Sequence, residues 1–565
     1  MSQPTEQLKQ KNTDQNGATV IVQELEKAGV QYLFGYPGGA ILPIYDALYH
    51  KSDLHILVRH EQGAVHAAEG FAKSSGQVGV ALVTSGPGAT NAITGITDAA
   101  ADSVPLVVLC GQVANDAIGT NAFQETDIVS MTKPVTKASL RVRHIDQLVQ
   151  SMRDAFALAQ AGRPGPVVLE FPKDILAAQT QGRTEAAKPA KACAGLTKES
   201  LNEVLMQLQK AKKPLLLVGG GIIAAHASQQ VQTFVQKYRI PVVSSLLGLG
   251  SLPSDDPYFI GMAGMHGKYA ANMALSQCDF LLNLGSRFDD RLVTSPEDFA
   301  PEAWKAHFDI DPHELNKIVP VDLSQVADAK CVLKELNEKK PSLPDWQTWQ
   351  KQIKTWDENF PYHYHNDEKV IKPQAVIEEI ARLTKNQAII VTDVGQHQMW
   401  AAQFYPYQHP RQFITSGGLG TMGFGLPAAI GAKLAHPDKE VVLFIGDGGF
   451  QMSSHDLAII KQYKLNLKII LLNNSVLGMV HQWQDTLYDE RHSQTVFDDN
   501  PNFTQLANAY GLASQSLKPA NWQEDLTRIF NQDDTCLVEV PIPASEEVHP
   551  MVLPGQPNQN MINYQ

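Results

Sequence analysis

The chain has 565 residues, enough for two to four domains with large cores. Its 46 Lys plus Arg against 59 Asp plus Glu give a net charge of −13, which argues against nucleic acid or an anionic membrane as the main partner. The polar residues 1–16 hold no apolar h-region, no apolar run approaches the roughly 18 residues of a membrane span, and five cysteines (Cys110, Cys193, Cys278, Cys331, Cys536) show no evident pairing, so a cytoplasmic protein in a reducing compartment is expected.

After a disordered N-terminus at 1–16, helix and buried strand alternate through a first segment, 17–178. A helix face of Ile21, Val22, Leu25 and Ala28 precedes strand-like runs at 30–34, 55–58, 78–83, 104–109 and 167–171. Loops rich in small residues follow two of them, at 35–39 and 84–91, where an open parallel sheet carries its binding crevice. The Ala- and Lys-rich stretch 179–197 reads as a linker. A second segment, 198–340, has strands at 215–218, 241–244, 280–284 and 307–310. Its Gly219-Gly220-Gly221 suggests close approach to a nucleotide diphosphate. An amphipathic helix and a second linker are expected over 341–371. The third segment, 372–545, has strands at 388–392, 441–445, 468–472 and 536–540. The tail 546–565 is either a disordered end or a flap that orders over a site. The predicted fold class is α/β, with three doubly wound parallel-sheet domains.

The most informative feature is Gly446-Asp447-Gly448 closing one apolar run, answered after 24 intervening residues by Asn473-Asn474 closing another. A right-handed βαβ unit brings two such strand ends side by side, so Asp447 and Asn474 share one rim. Mg²⁺ takes about six hard oxygen ligands, which a carboxylate, an amide oxygen, a backbone carbonyl, water and two phosphate oxygens would supply. The glycines allow close backbone approach to a diphosphate. A bare GDG is commonly only a turn; the spacing to Asn-Asn favours the clamp.

That pairing resembles the signature of thiamine-diphosphate enzymes, which also need a carboxylate against the pyrimidine ring of the cofactor. Glu61, opening an Ala/Glu-rich helix after the 55–58 strand, is the candidate; ordinary helix-start chemistry is the alternative. Over nearly its whole length the chain is similar to the catalytic subunits of the acetohydroxyacid (acetolactate) synthase family. The matching blocks are 35–39, RHEQGA at 59–64, TSGPGATN at 84–91, AFQE at 122–125, GRPGP at 162–166, PKD at 172–174, GMHG at 264–267, RFDDR at 287–291, VGQHQMW at 394–400, SGGLGTMGFGLPAAIG at 416–431, and LGMV at 477–480 leading to Trp483.

The resemblance implies a pyrimidine-binding domain, a central FAD-binding domain and a diphosphate- and Mg²⁺-binding domain. It implies a homodimer or dimer of dimers, in which Glu61 of one chain faces the cofactor held by the other. Metal ligands would be Asp447, Asn474 and the Val476 carbonyl. Tyr36, Pro37, Gly38, Pro87, Asn91, Gly395, Gln396, His397, Gly420, Gly446, Gly448, Gly449 and Met479 would contact thiamine diphosphate, with Met422 propping it into a bent shape. Gln124, Phe123 and Lys173 match residues of the substrate channel. Arg163, Gly219, Gly220, Gly221, Gly264, Met265, His266, Gly267, Arg287, Asp309 and Asp328 are the implied FAD contacts.

The implied reaction decarboxylates pyruvate on thiamine diphosphate and joins the resulting two-carbon enamine to pyruvate or 2-ketobutyrate. The products are 2-acetolactate or 2-aceto-2-hydroxybutyrate, precursors of branched-chain amino acids. Trp483 matches the family position that favours the larger acceptor. A separate small regulatory subunit is a common family partner. Two positions depart from the pattern: Gly449 stands where a hydroxyl or alanine is usual, and Lys268 replaces a small polar residue. A catabolic acetolactate synthase and a pyruvate oxidase-like flavoprotein are the competing thiamine enzymes, and Trp483 and RFDDR speak against the catabolic form. A non-catalytic cofactor-binding regulator is the alternative outside catalysis; Glu61, Asp447 and Asn474, all intact, speak against it.

Overall fold

Short apolar runs buried on both faces satisfy their backbone groups by pairing on both edges, and in the computed structural model they build parallel sheets covered by helices. The structure describes residues 15–49, 51–180 and 194–562. These residues form two compact units, 15–69 with 78–180, and 70–77 with 194–562.

The first unit holds a six-stranded sheet in the spatial order His55–Leu57, Leu33–Gly35, Gly79–Val83, Leu106–Gln112, Pro166–Pro172, Ala138–Arg141. All its ladders are parallel. Its core packs the helices Gly17–Lys27 and Leu148–Gln160 onto Val80, Leu82, Val107, Leu109, Val167 and Leu169. Counted in chain order, the strands run 2-1-3-4-6-5. The two neighbours whose connections leave in opposite directions are Leu33–Gly35 and Gly79–Val83, so a crevice opens beyond their carboxyl ends.

The second unit holds two further six-stranded parallel sheets. One has the order Phe259–Met262, Val242–Ser244, Pro214–Val218, Phe280–Leu284, Trp304–Asp309, Leu323–Val326. In chain order this is 3-2-1-4-5-6, the arrangement of dinucleotide-binding sheets, with its switch point between Pro214–Val218 and Phe280–Leu284. The other has the order Phe413–Ile414, Ile389–Thr392, Val441–Gly446, Lys468–Asn473, Cys536–Pro541, Ala513–Ser516, which repeats the 2-1-3-4-6-5 order of the first unit. Its switch point lies between Ile389–Thr392 and Val441–Gly446.

Several sequence expectations change. Gln15–Asn16, assigned to a disordered end, pair antiparallel with Gln179–Thr180, assigned to a linker; residues 1–14 and 181–193 lie outside the described residues. The predicted second linker contains the expected amphipathic helix, Gln347–Asn359, but that helix belongs to the central core. Trp346 and Trp349 are buried there, and their indole N–H groups donate to the carbonyls of Ala211 (2.9 Å) and Pro214 (3.1 Å). The tail is ordered through residue 562. Met551–Val552 pair antiparallel with Met561–Ile562, and tail N–H groups donate to the carbonyls of Met265 and Thr294. Cys331 is disulfide-bonded, against the expectation of unpaired thiols, whereas Cys110, Cys278 and Cys536 are free and buried; Cys193 lies outside the described residues. Among the described residues no helix is long and apolar enough to cross a membrane.

Because Trp349 fills the central core and satisfies the carbonyl at the start of strand Pro214–Val218, Trp349→Ala should cost about 3–5 kcal/mol, read as a lowered denaturant midpoint of the central module. A substitution tolerated within about 0.5 kcal/mol would return this helix to linker status.

Candidate active site

Strand Val441–Gly446 delivers Asp447 to the first position of the helix Asp447–Ser453, and the adjacent parallel strand Lys468–Asn473 delivers Asn474. Asp447 is only 1% exposed. Burial pushes its carboxyl up to about 6, opposed by hydrogen bonds from the Asn500 amide and from backbone N–H groups. Asn500 Nδ2 donates to Asp447 Oδ2 at 2.8 Å, and among the described residues no cationic side chain pairs with this carboxylate. A carboxylate buried at a helix N-terminus beside an amide oxygen is a hard-oxygen donor set that lacks its counter-charge. Asn474 Oδ1 accepts from Val476 N (3.3 Å), and its Nδ2 donates to Gln396 Oε1 (3.2 Å), so both metal-ligand candidates and Val476 lie on one loop rim.

Gly395, Gln396, His397, Met422, Gly446, Asp447, Gly448, Gly449, Asn474, Val476 and Met479 line one cleft. Gly420 and Trp483 do not: Gly420 N donates to Ser416 Oγ at 3.0 Å, and Trp483 lies half-buried one turn farther along the helix Gly478–Leu487. His397 is buried, its imidazole pushed down to about 4, and its Nε2 has no protein partner. An orphaned neutral imidazole nitrogen aimed at a cleft with Asp447 fits a polar, phosphorylated ligand. Met422 sits between Gly420 (φ +74°) and Gly423 (φ +88°), a backbone that excludes a regular helix.

Gly449 has a reason of its own. A Cβ there would fall 2.3 Å from Asp393 Oδ1. Asp393 is fully buried and accepts from the N–H groups of Gly423 (2.9 Å), Gly425 (2.7 Å) and Val394 (2.9 Å), so it ties the Met422 loop to the end of strand Ile389–Thr392. Lys268 is likewise accounted for. Its ammonium pairs with Asp357 of the helix Gln347–Asn359 at 2.5 Å, tying that helix to the start of the helix Tyr269–Gln277, which Lys268 immediately precedes.

In the first unit, Glu61 opens the helix Glu61–Ser75 and is 9% exposed. Asn91 Nδ2 donates to Glu61 Oε2 at 2.9 Å, and Gly88 leaves room beside Oε1, where a Cβ would stand 3.2 Å away. Gly38 faces Thr84, whose buried hydroxyl lacks a partner; a Cβ at Gly38 would strike that side chain at 2.5 Å. Gln124 has φ +63°, and Gly86 packs against its main chain. Tyr36, Pro37 and Pro87 are exposed beside these loops, as are Phe123 (88% exposed) and Lys173. Arg163 Nε donates to Ser103 Oγ at 2.8 Å.

At the switch point of the central sheet, Gly219 and Gly221 donate to the carbonyls of Leu284 and Gly285. Added Cβ atoms would lie 2.2 Å from Gly285 O and 2.6 Å from Gly285 Cα, so these glycines allow two strand ends to close together. Gly220 meets only Leu247, at 3.1 Å. Ser244, ending Val242–Ser244, and Ser286, just past Phe280–Leu284, flank the strand Pro214–Val218 from its two sides and carry buried hydroxyls without partners among the described residues, as suits a polar ligand here. Gly264 (φ +110°) is clamped by Asn272, and a Cβ at Gly267 would meet Ala263 at 2.6 Å. Met265 contacts Arg291, and His266 Nδ1 lies 3.2 Å from Pro550 O. Arg287 is half-buried beside buried Phe288. Asp309 ends the strand Trp304–Asp309 and accepts from Asp311 N. Asp328 caps the helix Ala329–Glu338, accepting from Lys330 N (2.8 Å) and Cys331 N (3.4 Å).

Three site residues escaped the sequence reading. Asn500, 53 positions after Asp447, has no spacing signal. Asp393 was adjacent to a matching block and is legible only as a buried acid ending a strand. Gln482 accepts from Gln396 Nε2 (3.1 Å) and bonds Val548 through both amide atoms, tying the cleft to the tail.

A repeated 2-1-3-4-6-5 sheet, one copy offering a buried acid and the other a diphosphate clamp, with a dinucleotide-type sheet between them in sequence, defines a diphosphate-cofactor α/β enzyme. Family models match in that order: the N-terminal TPP binding domain of thiamine pyrophosphate enzymes over residues 15–131, the central domain over 201–336 and the C-terminal TPP binding domain over 393–540. The chain is 49% identical over 554 residues to the acetolactate synthase large subunit of Lactococcus lactis subsp. lactis (strain IL1403), covering 97% of this chain and 96% of that one. It is 45% identical over 556 residues to the acetolactate synthase isozyme 3 large subunit of Escherichia coli (strain K12), with 96% and 97% covered. A probable acetolactate synthase large subunit of Methanocaldococcus jannaschii is 43% identical over 567 residues, with 97% and 95% covered. The chain belongs to the acetolactate synthase large-subunit family of thiamine pyrophosphate enzymes.

The raised pKa of Asp447 has a stability consequence. The folded state favours its protonated form, so the group's contribution is fully present below the ordinary carboxylate pKa and is lost as pH rises through about 6. Asp447→Asn should therefore stabilise the cofactor-free chain at pH 7 by about 1–3 kcal/mol, a gain that shrinks toward pH 4. Equal stability of the two proteins at pH 7 would show that the carboxylate is not strained by burial.

Proposed function

We propose that this chain condenses two 2-keto acids with loss of CO₂, giving 2-acetolactate from two pyruvates and 2-aceto-2-hydroxybutyrate from pyruvate and 2-ketobutyrate. The observation that carries the reading is the buried Asp447 carboxylate, without a cationic partner among the described residues, in the cleft it lines with Asn474 and Val476. Asp447, Asn474 and the Val476 carbonyl would hold Mg²⁺, and the N–H groups opening the helix Asp447–Ser453 would face a diphosphate. Thiamine diphosphate, when bound, supplies a nucleophilic carbon and an electron sink for decarboxylation.

Glu61, its Oε2 held by the Asn91 amide, is the carboxylate that would exchange a proton with the pyrimidine. Met422, on the loop anchored by Asp393 and lining the cleft, would pack against the bound cofactor. Phe123, Gln124, Lys173 and Trp483 orient and select the 2-keto acids. The central crevice with Gly219–Gly221, Ser244 and Ser286 would hold FAD. The condensation has no net oxidation, so FAD has no redox step to perform in it. The active unit is a homodimer or dimer of dimers in the cytoplasm. Because the relatives are named large subunits, a separate small subunit is the expected regulatory partner.

The test is product analysis of the purified chain with thiamine diphosphate, Mg²⁺, FAD and equal pyruvate and 2-ketobutyrate. Both acetohydroxy acids should form, and Glu61→Gln should lose most turnover while retaining cofactor binding; acetyl phosphate or flavin reduction would contradict the proposal. Trp483→Leu should lower the acetohydroxybutyrate to acetolactate ratio by about 10-fold or more, the worth of one methyl in an apolar pocket. An unchanged ratio would remove Trp483 from acceptor selection.

A further inference from the structure

We propose that His481, Asp485 and His492 form a second cation site, taking a transition-metal dication of the Zn²⁺ class, built from residues other than the Asp447 clamp. His481 and Asp485 stand four residues apart on the helix Gly478–Leu487 and so share a face. His481 Nδ1 lies 3.0 Å from Asp485 Oδ2, and His492 Nε2 lies 2.5 Å from Asp485 Oδ1. The two imidazoles stack with centroids 3.8 Å apart and planes 12° from parallel. One ligand atom from each residue falls within 4.8 Å of the other two. A tetrahedral ion with Zn–N bonds near 2.0–2.1 Å needs donors about 3.3 Å apart, so side-chain rotations of about an ångström complete the set.

The chemistry favours this over an ordinary surface ion pair. Two stacked imidazoles and one carboxylate converge on a common point, where a single dication can take a lone pair from each ring and be balanced by the carboxylate. Imidazole donors select Zn²⁺ and its neighbours over Mg²⁺, and three protein ligands leave a fourth position for water.

The backbone holds these donors in place beforehand. Gln484 on the same helix donates through Nε2 to Ser493 O (3.2 Å) and accepts at Oε1 from Thr495 Oγ1 (2.6 Å), two anchors just beyond His492 on the segment that presents it. Leu477 N donates to Thr495 O and Phe497 N to Ser475 O, at 2.8 Å each, and the segment continues to Asn500 on Asp447. An ion here pins the helix that bears Met479 and Trp483 to the stretch of chain that reaches the diphosphate clamp. Its role is thus a regulatory cross-link beside the cofactor site.

The test uses the full chain, stripped with chelator and returned to saturating Mg²⁺, titrated with Co²⁺ as a spectroscopic stand-in. The expected result is one equivalent bound with the strong visible absorption of a four-coordinate ion, displaced by Zn²⁺. Cleavage by trypsin after the exposed Arg491 should slow at the same equivalent. His481→Ala, His492→Ala and the size-conserving His492→Gln should each weaken binding by about tenfold or more and abolish the protection, since loss of even an outer-shell partner costs that much. Unchanged Co²⁺ affinity and protection in these variants, or only weak six-coordinate binding in the parent chain, would overturn the proposal.

Discussion

A carboxylate that is buried, set at a helix N-terminus and, among the described residues, without a cationic side-chain partner is the constraint on which this structure turns. Burial raises the Asp447 carboxyl to about 6, so holding its charge at neutral pH costs folding energy that a bound dication would offset. Strand Val441–Gly446 brings Asp447 to the switch point of its sheet, the neighbouring strand brings Asn474, and Gln396 holds Asn474 by its amide. Asp393, a second buried carboxylate, is by contrast satisfied by three N–H groups and fixes the Met422 loop. One buried acid is thus taken up by backbone N–H groups, while the other stands at a cleft rim with a raised pKa.

The three sheets divide the work by topology. Two share the 2-1-3-4-6-5 order but differ in the segments that leave their switch-point strands: glycine loops, a threonine and an acid-bearing helix in one, a helix opening on the buried Asp447 in the other. The central sheet, 3-2-1-4-5-6, closes its strand ends through Gly219, Gly221 and Gly285 and leaves the Ser244 and Ser286 hydroxyls unpaired. Even the departures from the family pattern obey local physics: Gly449 makes room for Asp393, and Lys268 ties two helices together.

Central strands were legible in the sequence because burial on both faces writes a continuous apolar run, as in Leu106–Gln112 and Lys468–Asn473. Within the three six-stranded sheets five strands went unread: Ala138–Arg141, Phe259–Met262, Leu323–Val326, Phe413–Ile414 and Ala513–Ser516. Each is a sheet edge with partly exposed residues, where no such run is required. The Gly446–Gly448 and Asn473–Asn474 pairing was legible since a βαβ unit converts a fixed sequence interval into adjacency. Asn500 and the tail's grip on Met265 were not, because they return through irregular chain whose length carries no geometric rule. The pairing of Cys331 was hidden for the same reason: spacing alone does not report which sulfurs meet.

The decisive measurement is calorimetric titration of thiamine diphosphate into the chain with and without Mg²⁺, repeated at pH 5 and pH 7.5. A buried Asp447 that must ionise to take the metal predicts Mg²⁺-dependent binding that weakens at pH 5 and releases a proton there, with near-complete loss of this binding in Asp447→Asn. Binding of equal strength without Mg²⁺, or in the asparagine variant, would contradict that role for Asp447.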